Sequence, residues 1–459
     1  MMDFARIKAG LLAQRQALRS GQVLRIGPLS LMRSIYLEGL RNKVASLERK
    51  VALPNTSAAV VKPREDGRRS VVFLHSSYYN FLYLARALRK RDWDAISVSV
   101  EDPAGPQAKF YHGHDVELFD ADPAVMFRRI EDFVAEVEQR FRMVHFYGRH
   151  QMSFFPSEYD RTEAVDVFPR DVFRFRELGI KIGYSVCGCL DGVTQTAVHQ
   201  WSHGACDRCV WQNDARFCSD KLNLAWGHKV DMFCDLIATE GFPALDYQKG
   251  DKAVREPLTT ALDPEFWRPD LEVPEQLRYP RTPGELIVYH AVGNYKLRER
   301  NGRNLKGTPA VIAAIERLRS EGVNVRLEFI TGISNMDVRF LQLQADVIVD
   351  QLNYGRYGAT AREGMMLGRP TVCFINKDEP DGQQKLESIE TCPLVSANEA
   401  TIYPVLRDLL ANAERRRAIG EAGRAFALKW HSADACAERF EAAYDRLFAG
   451  ERAAVGTAV

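Results

Sequence analysis

Two stretches in the second half of the chain combine residue types that could handle an anionic ligand. The first, "NYKLRERNGRNLKGTP" from Asn294, carries Lys296, Arg298, Arg300, Arg303 and Lys306 just before a helical pattern. Arginine offers a planar fork of donors and lysine a point charge, a natural pairing for clamping a diphosphate. Lys306, followed by Gly307 at the helix start, is the strongest single choice. The second stretch, "NYGRYGATAREGMMLGRPTVCFI" from Asn353 to Ile375, sets glycines around a single carboxylate, Glu363. Gly355 and Gly358 let backbone approach an anion without a Cβ in the way. Glu363, a turn or so into the helix, would repel phosphate but suits neutral hydroxyls such as those of ribose. A third cluster, Cys187, Cys189, Cys206, Cys209 and Cys218, falls within 32 residues, with His199 and His203 between. A C-x-C and a C-x-x-C are raw material for a tetrahedral zinc site, although the spacing is not that of a standard finger and five thiols are one too many. Reduced thiols, a redox disulfide and an iron-sulfur centre are the alternatives.

The elements that must position these residues are legible as an α/β alternation. Strand signals at "SVVFLHSS", "DAISVSV", "RMVHFYG" and "IKIGYSVCG" are separated by helical patterns, as in a parallel sheet with crossover helices. A second series starts at "GELIVYHAVG" and continues through "NVRLEFITG", "ADVIVDQL" and "PTVCFI". Its clearest helix is "TPAVIAAIERLRSEG", with Thr308 as N-cap, Pro309 in the first turn, Val311, Ile312, Ile315 and Leu318 inward, and Gly322 as the stop. Two such series predict two Rossmann-like domains facing a cleft. The expected division is a basic helical arm over 1–54, a linker over 55–69, a first Rossmann-like acceptor domain over 70–280 with a cysteine-rich insertion at 187–218, a second nucleotide-sugar domain over 281–430, and a C-terminal helix and tail over 431–459. The length of 459 residues agrees with more than one core.

The two anion-handling stretches together resemble the C-terminal domain of retaining, nucleotide-sugar-dependent glycosyltransferases of the GT-B type, in the large family four group. "NLKGTPAVIAAIERL" is similar to the family's Lys-Gly loop and helix; "YGATAREGMMLGRPTVCFI" is similar to its aromatic-Gly, four residues, Glu, then Gly-x-Pro and strand. The resemblance implies donor contacts at Gly293, Arg303, Lys306, Tyr357, Gly358, Ala359, Thr360 and Glu363. Lys306 and Arg303 would stabilise the departing diphosphate, so that no metal is required for catalysis. "MVHFYG" resembles the strand that carries a family histidine, which makes His145 a further catalytic candidate. The chain departs from the pattern at three places: the family's first motif glutamate is here Gly355, the second histidine of the His-x-His strand is here Tyr147, and a strand-end histidine is here Cys187.

The implied function is hexosyl-type transfer from a nucleotide-sugar donor to a glycan or lipid-linked glycan, with retention, in surface polysaccharide biosynthesis. Two alternatives stay open, a non-catalytic nucleotide-sugar-binding or scaffold protein and an epimerase or hydrolase on the same fold. A net charge of +1 argues against a general nucleic-acid binder. Residues 1–51 hold ten Lys or Arg against three Asp or Glu, which suits packing on the same chain, a membrane surface or a homodimer seam. No apolar run reaches membrane-spanning length and no signal peptide is evident, so the expected location is cytoplasmic, with peripheral attachment at the inner face of the membrane as a further expectation.

Overall fold

The computed structural model describes residues 67–75, 78–105, 108–148, 151–156, 169–189, 191–212, 214–215, 217–246, 250–300 and 302–450. The basic arm and most of the linker lie outside them. The first alternating series builds β1 (Ser70–His75), β2 (Asp94–Ser99), β3 (Val116–Glu117), β4 (Met143–Tyr147), β5 (Lys181–Ser185), β6 (Leu236–Ala238) and β7 (Ala253–Val254). They form one parallel sheet in the order β3-β2-β1-β4-β5-β6-β7. Val71, Val72, Phe73 and Leu74 have no exposure, as expected where helices cover both faces of a parallel sheet.

The second series builds β8 (Leu286–Ala291), a short antiparallel hairpin of β9 (Glu299–Arg300) and β10 (Arg303–Asn304), then β11 (Val325–Ile330), β12 (Val347–Val349) and β13 (Thr371–Val372). Its parallel sheet runs β11-β8-β12-β13. The strand order reverses between β8 and β12, and a crevice opens beyond the strand ends at such a reversal. The basic loop leaves β8 and the glycine stretch leaves β12, so this topology sets the two segments side by side.

Three helices close the chain: Ile402–Ala411, Ala413–His431 and Ala433–Phe448. The last returns to the first lobe. Its Glu441 accepts from Arg91 at 2.7 Å, Arg69 at 2.6 Å and the Trp93 indole at 3.2 Å. At the crossing, the Leu262 amide donates to the His431 carbonyl and the Ala433 amide to the Leu262 carbonyl, both at 2.7 Å.

Two local expectations need correction. Gly307, not Thr308, caps the helix Thr308–Ser320, at φ +76°. A Cβ there would stand 2.8 Å from that of Leu352, so conformation and space both call for glycine. Thr308 is instead buried, its hydroxyl bonded to His290 Nε2 at 2.8 Å. Ala314, rather than Ile312, completes the buried face with Val311, Ile315 and Leu318.

His145 has no exposure, and it is surrounded by Phe73, Phe81, Phe440 and Tyr444. Its Nδ1 meets the Tyr444 hydroxyl and its Nε2 the Ser185 hydroxyl at 2.8 Å. Both ring nitrogens are therefore engaged within the protein. The histidine ties β4 to β5 and to the C-terminal helix, a placement that argues against proton transfer to a substrate.

Burial holds the His145 imidazole down to about 3 and that of His290 to about 4. Both stay neutral in the fold, whereas an unfolded chain protonates them below about pH 6.5. The folded values are depressed, so this stability is complete above about pH 6.5 and is lost as the pH falls toward the folded values. Thermal unfolding followed from about pH 7 to about pH 4.5 should show Tm declining below about pH 6.5, and His145→Gln should flatten the decline by up to about 1.4 kcal/mol per pH unit.

Candidate functional site

Where β12 ends, Asp350 has no exposure. Its Oδ1 pairs with Lys306 Nζ and its Oδ2 accepts the Gly358 amide at 2.8 Å. The Leu352 amide donates to the Lys306 carbonyl at 3.2 Å, a second link between the two loops. Beyond Gly358, the helix Ala359–Met366 begins without a side-chain cap. The amides of Ala359, Thr360 and Ala361 find no acceptor among the described residues. Such free N–H groups at a helix start, beside a lysine, are equipped to receive an anion.

The structure brings Lys306, Gly358, Ala359 and Thr360 together and places the other expected residues elsewhere. Tyr357 is half-buried, its hydroxyl bonded to His431 Nε2 at 2.9 Å. Gly293 lies against Phe110 of the first lobe, whose ring would stand 3.1 Å from an added Cβ. Arg303 turns toward the cysteine loop and donates to the Cys209 carbonyl at 3.3 Å. Glu363 is buried, with 2% exposure, and accepts from Tyr79 at 2.6 Å, Asn335 at 3.1 Å and Gln342 at 2.9 Å. Tyr79 belongs to the first lobe, so this carboxylate bonds across the seam. His112 extends the network, with Nε2 to Asn335 at 2.6 Å and Nδ1 to Tyr83 at 2.7 Å.

Gly355 adopts φ +89°, and a Cβ there would meet the Trp201 ring at 3.1 Å and Asn376 at 3.3 Å. An indole from the first lobe thus covers the position where the family pattern has an acid. The Trp201 indole donates to the Asp378 carbonyl at 2.9 Å, and Asn376 donates to the Trp201 carbonyl at 2.6 Å. Next to it, Arg356 is 5% exposed and lies over the Trp201 ring at 4.7 Å. It donates to the Gly241 carbonyl at 2.7 Å and to Glu379 at 2.8 Å, and Arg255 meets the same carboxylate at 2.5 Å. Sequence reasoning missed Asp350, Arg356 and Trp201. For Asp350 a signal existed, namely a charge ending the apolar strand "VIV".

Four of the five thiols lie near one another. Cys189 and Cys206 share a small core with Val193, Val198, Trp201 and Phe242. Cys206 and Cys209 flank one tight turn, closed by the Cys209 amide on the Cys206 carbonyl at 3.1 Å. Gln195 links Cys206 to Cys218: its main-chain carbonyl accepts from Cys206 at 3.5 Å and its side-chain amide donates to Cys218 at 3.6 Å. Burial and the neighbouring thiols push Cys206 up to about 12 and raise Cys189 further. Cys187 stands apart, packed against the large core, with its amide on Asp191 at 2.6 Å. Among the described residues, no three or more His, Cys, Asp or Glu side chains are placed to hold one metal ion.

A surface hollow of about 700 Å³ lies at the other end of the helix Ala359–Met366, lined by Leu367, Arg369, Arg416 and Arg424 among others. Arg416 and Arg424 are committed there to backbone carbonyls. It lies away from the helix start that faces Lys306.

No family model matches the chain, and no curated protein matches it. Solved structures do. A sucrose-phosphate synthase from Thermosynechococcus elongatus is 14% identical, with a TM-score of 0.52 covering 84% of this chain and 100% of that one. A glycosyltransferase from Rickettsia africae ESF-5 is 10% identical, with a TM-score of 0.49 covering 83% and 99%. HepE from Anabaena, solved with UDP, is 9% identical, with a TM-score of 0.48 covering 82% and 99%. The fold is GT-B, two Rossmann-like lobes with parallel sheets, and at these identities the likeness speaks to fold alone.

Lys306→Ala would leave Asp350 buried without a counter-charge, so calorimetry should show a loss of about 3 kcal/mol. Adding Asp350→Asn should recover most of it. An unchanged Tm in Lys306→Ala would show that the pair does not support the fold.

Proposed function

We propose that the chain is a glycosyltransferase that moves a sugar from a nucleotide-sugar donor to a glycan or lipid-linked glycan acceptor, with retention of anomeric configuration. The carrying observation is the start of the helix Ala359–Met366, where three amides that find no acceptor among the described residues sit beside Lys306 at the switch point of the second sheet. Departure of the diphosphate builds negative charge on its oxygens as positive character grows at the anomeric carbon. Amides already aimed at the leaving group stabilise that charge without reorganising, an effect worth several kcal/mol. Lys306 remains oriented by Asp350 and keeps further N–H donors for phosphate. Glu363 acts in this reading through position: held by Tyr79, Asn335 and Gln342, it fixes the helix against the first lobe. A role in reading ribose requires that the nucleoside replace one of those donors.

Incubation of the full chain with a panel of nucleotide sugars and candidate acceptors tests the reading. Release of nucleoside diphosphate coupled to a new glycosidic bond, with the donor's anomeric configuration seen by NMR, is the expected result. Tight donor binding with no turnover of any donor would favour the scaffold alternative.

For the thiol loop, we propose a structural zinc on Cys189, Cys206, Cys209 and Cys218. Burial raises the Cys209 thiol overall, and the charges of Arg303 and Arg298 offset part of that rise, which suits the excess negative charge of a four-thiolate site. Closing the set requires the four side chains to rotate toward a common centre. Elemental analysis of protein purified under reducing conditions should find about one zinc per chain, retained in Cys187→Ser and lost in a Cys206→Ser/Cys209→Ser double variant. Absence of both zinc and iron would leave reduced thiols or a disulfide.

A further inference from the structure

The cations at the seam mostly have carboxylate partners. Lys306 has Asp350, Arg356 and Arg255 share Glu379, and Arg91 has Glu441. Arg362, the fourth residue of the helix Ala359–Met366, has none. Its amide donates to the Gly358 carbonyl at 3.2 Å, but among the described residues its side chain makes no hydrogen bond, ion pair or ring contact, and its Nε is shut off from solvent without an acceptor. The nearest polar groups are already occupied. Tyr79 donates to Glu363, Tyr357 is bonded to His431, and Glu240 accepts from Thr259 Oγ1 at 2.5 Å and from the Leu258 amide at 3.2 Å.

Its position is also informative. Arg362 and Glu240 both act on the Tyr147 hydroxyl, as does Cys187, so the guanidinium lies where β4, β5 and β6 of the first sheet end. Strand ends of this kind are where such sheets bind ligands. A helical side chain also leans back toward the start of its helix, which here carries the three free amides. An enclosed cation without a partner is costly to a fold, and a ligand that supplies the missing charge removes that cost.

We propose that Arg362 is a substrate-binding residue that takes an oxyanion, a phosphate or a carboxylate, in the cleft between the lobes. This rests on reading the cleft as a substrate site, whatever reaction follows. The oxyanion has two candidate sources, the diphosphate of a nucleotide donor and the acidic group of a uronic-acid-type sugar.

The test uses the full chain and its Arg362→Met and Arg362→Lys variants, followed by thermal shift and calorimetry. Without ligand, Arg362→Met should unfold at the same or a higher temperature than the parent, because a half-buried charge with no ion-pair partner among the described residues has gone. Inorganic phosphate should stabilise the parent and bind Arg362→Met about ten- to a hundredfold more weakly, with Arg362→Lys between. The same loss with UDP or GDP but not with uridine or guanosine assigns the contact to the donor. A loss with glucuronate but not with the nucleoside diphosphates assigns it to an acidic sugar. Lower ligand-free stability in both variants, or unchanged affinity of Arg362→Met for phosphate, nucleoside diphosphates and glucuronate alike, overturns the proposal. Failure to turn over any donor would count against glycosyl transfer and leave this readout intact.

Discussion

A carboxylate with no exposure must have its charge answered within the protein, and Asp350 is answered by Lys306 on one oxygen and the Gly358 amide on the other. That requirement registers the loop after β8 against the loop after β12. It is why Lys306 precedes a left-handed glycine packed on Leu352, and why Gly358, rather than a residue with a side chain, faces the Asp350 carboxylate. The same pairing limits what Lys306 can do alone. Much of its charge is already met, so the field at the helix start depends more on free amides and on Arg362 than a count of basic residues in the loop suggests.

The seam between the lobes is held largely by specific polar bonds. Tyr79 to Glu363, His112 to Asn335, Arg356 to the Gly241 carbonyl and Trp201 to the Asp378 carbonyl each join one lobe to the other. Bonds of this kind fix register, because a displaced partner leaves a buried donor or acceptor unmet at a cost of about 1–3 kcal/mol. Glu363 is consequently both a motif residue and a structural one. Its conspicuous spacing in the sequence says where it lies on the helix, and only the fold says that three protein donors already occupy it.

How much of this was legible follows the range of the interactions involved. The alternation of strands and helices could be read because apolar periodicity is local, and the placement of both loops at one switch point followed from the parallel topology. The Lys-Gly turn was legible for the same reason. His145 was misread because a histidine near a strand end has the same letters whether it faces a cleft or, as here, Tyr444 and Ser185. Thr308 has the letter of a cap because threonine caps helices often, while the demand for a positive φ at Gly307 arises from Leu352, far away in sequence. Arg362 lies inside the glycine stretch without standing out there, since an arginine on a helix is ordinarily solvated.

The cysteine loop and the glycine loop after β12 are one construction at Gly355. Cys189 and Cys206 share a core with Trp201 and Phe242, and Tyr354 packs against it from the second lobe. Trp201 in turn lies over Gly355, where its ring takes the space that a side chain would need. The order of the thiol loop therefore sets the position of the indole, and the indole sets the shape of the turn leading to the helix that faces the cleft. A small core of so few residues is weak by itself, so the state of its thiols bears directly on the geometry of the turn that leads to the helix start.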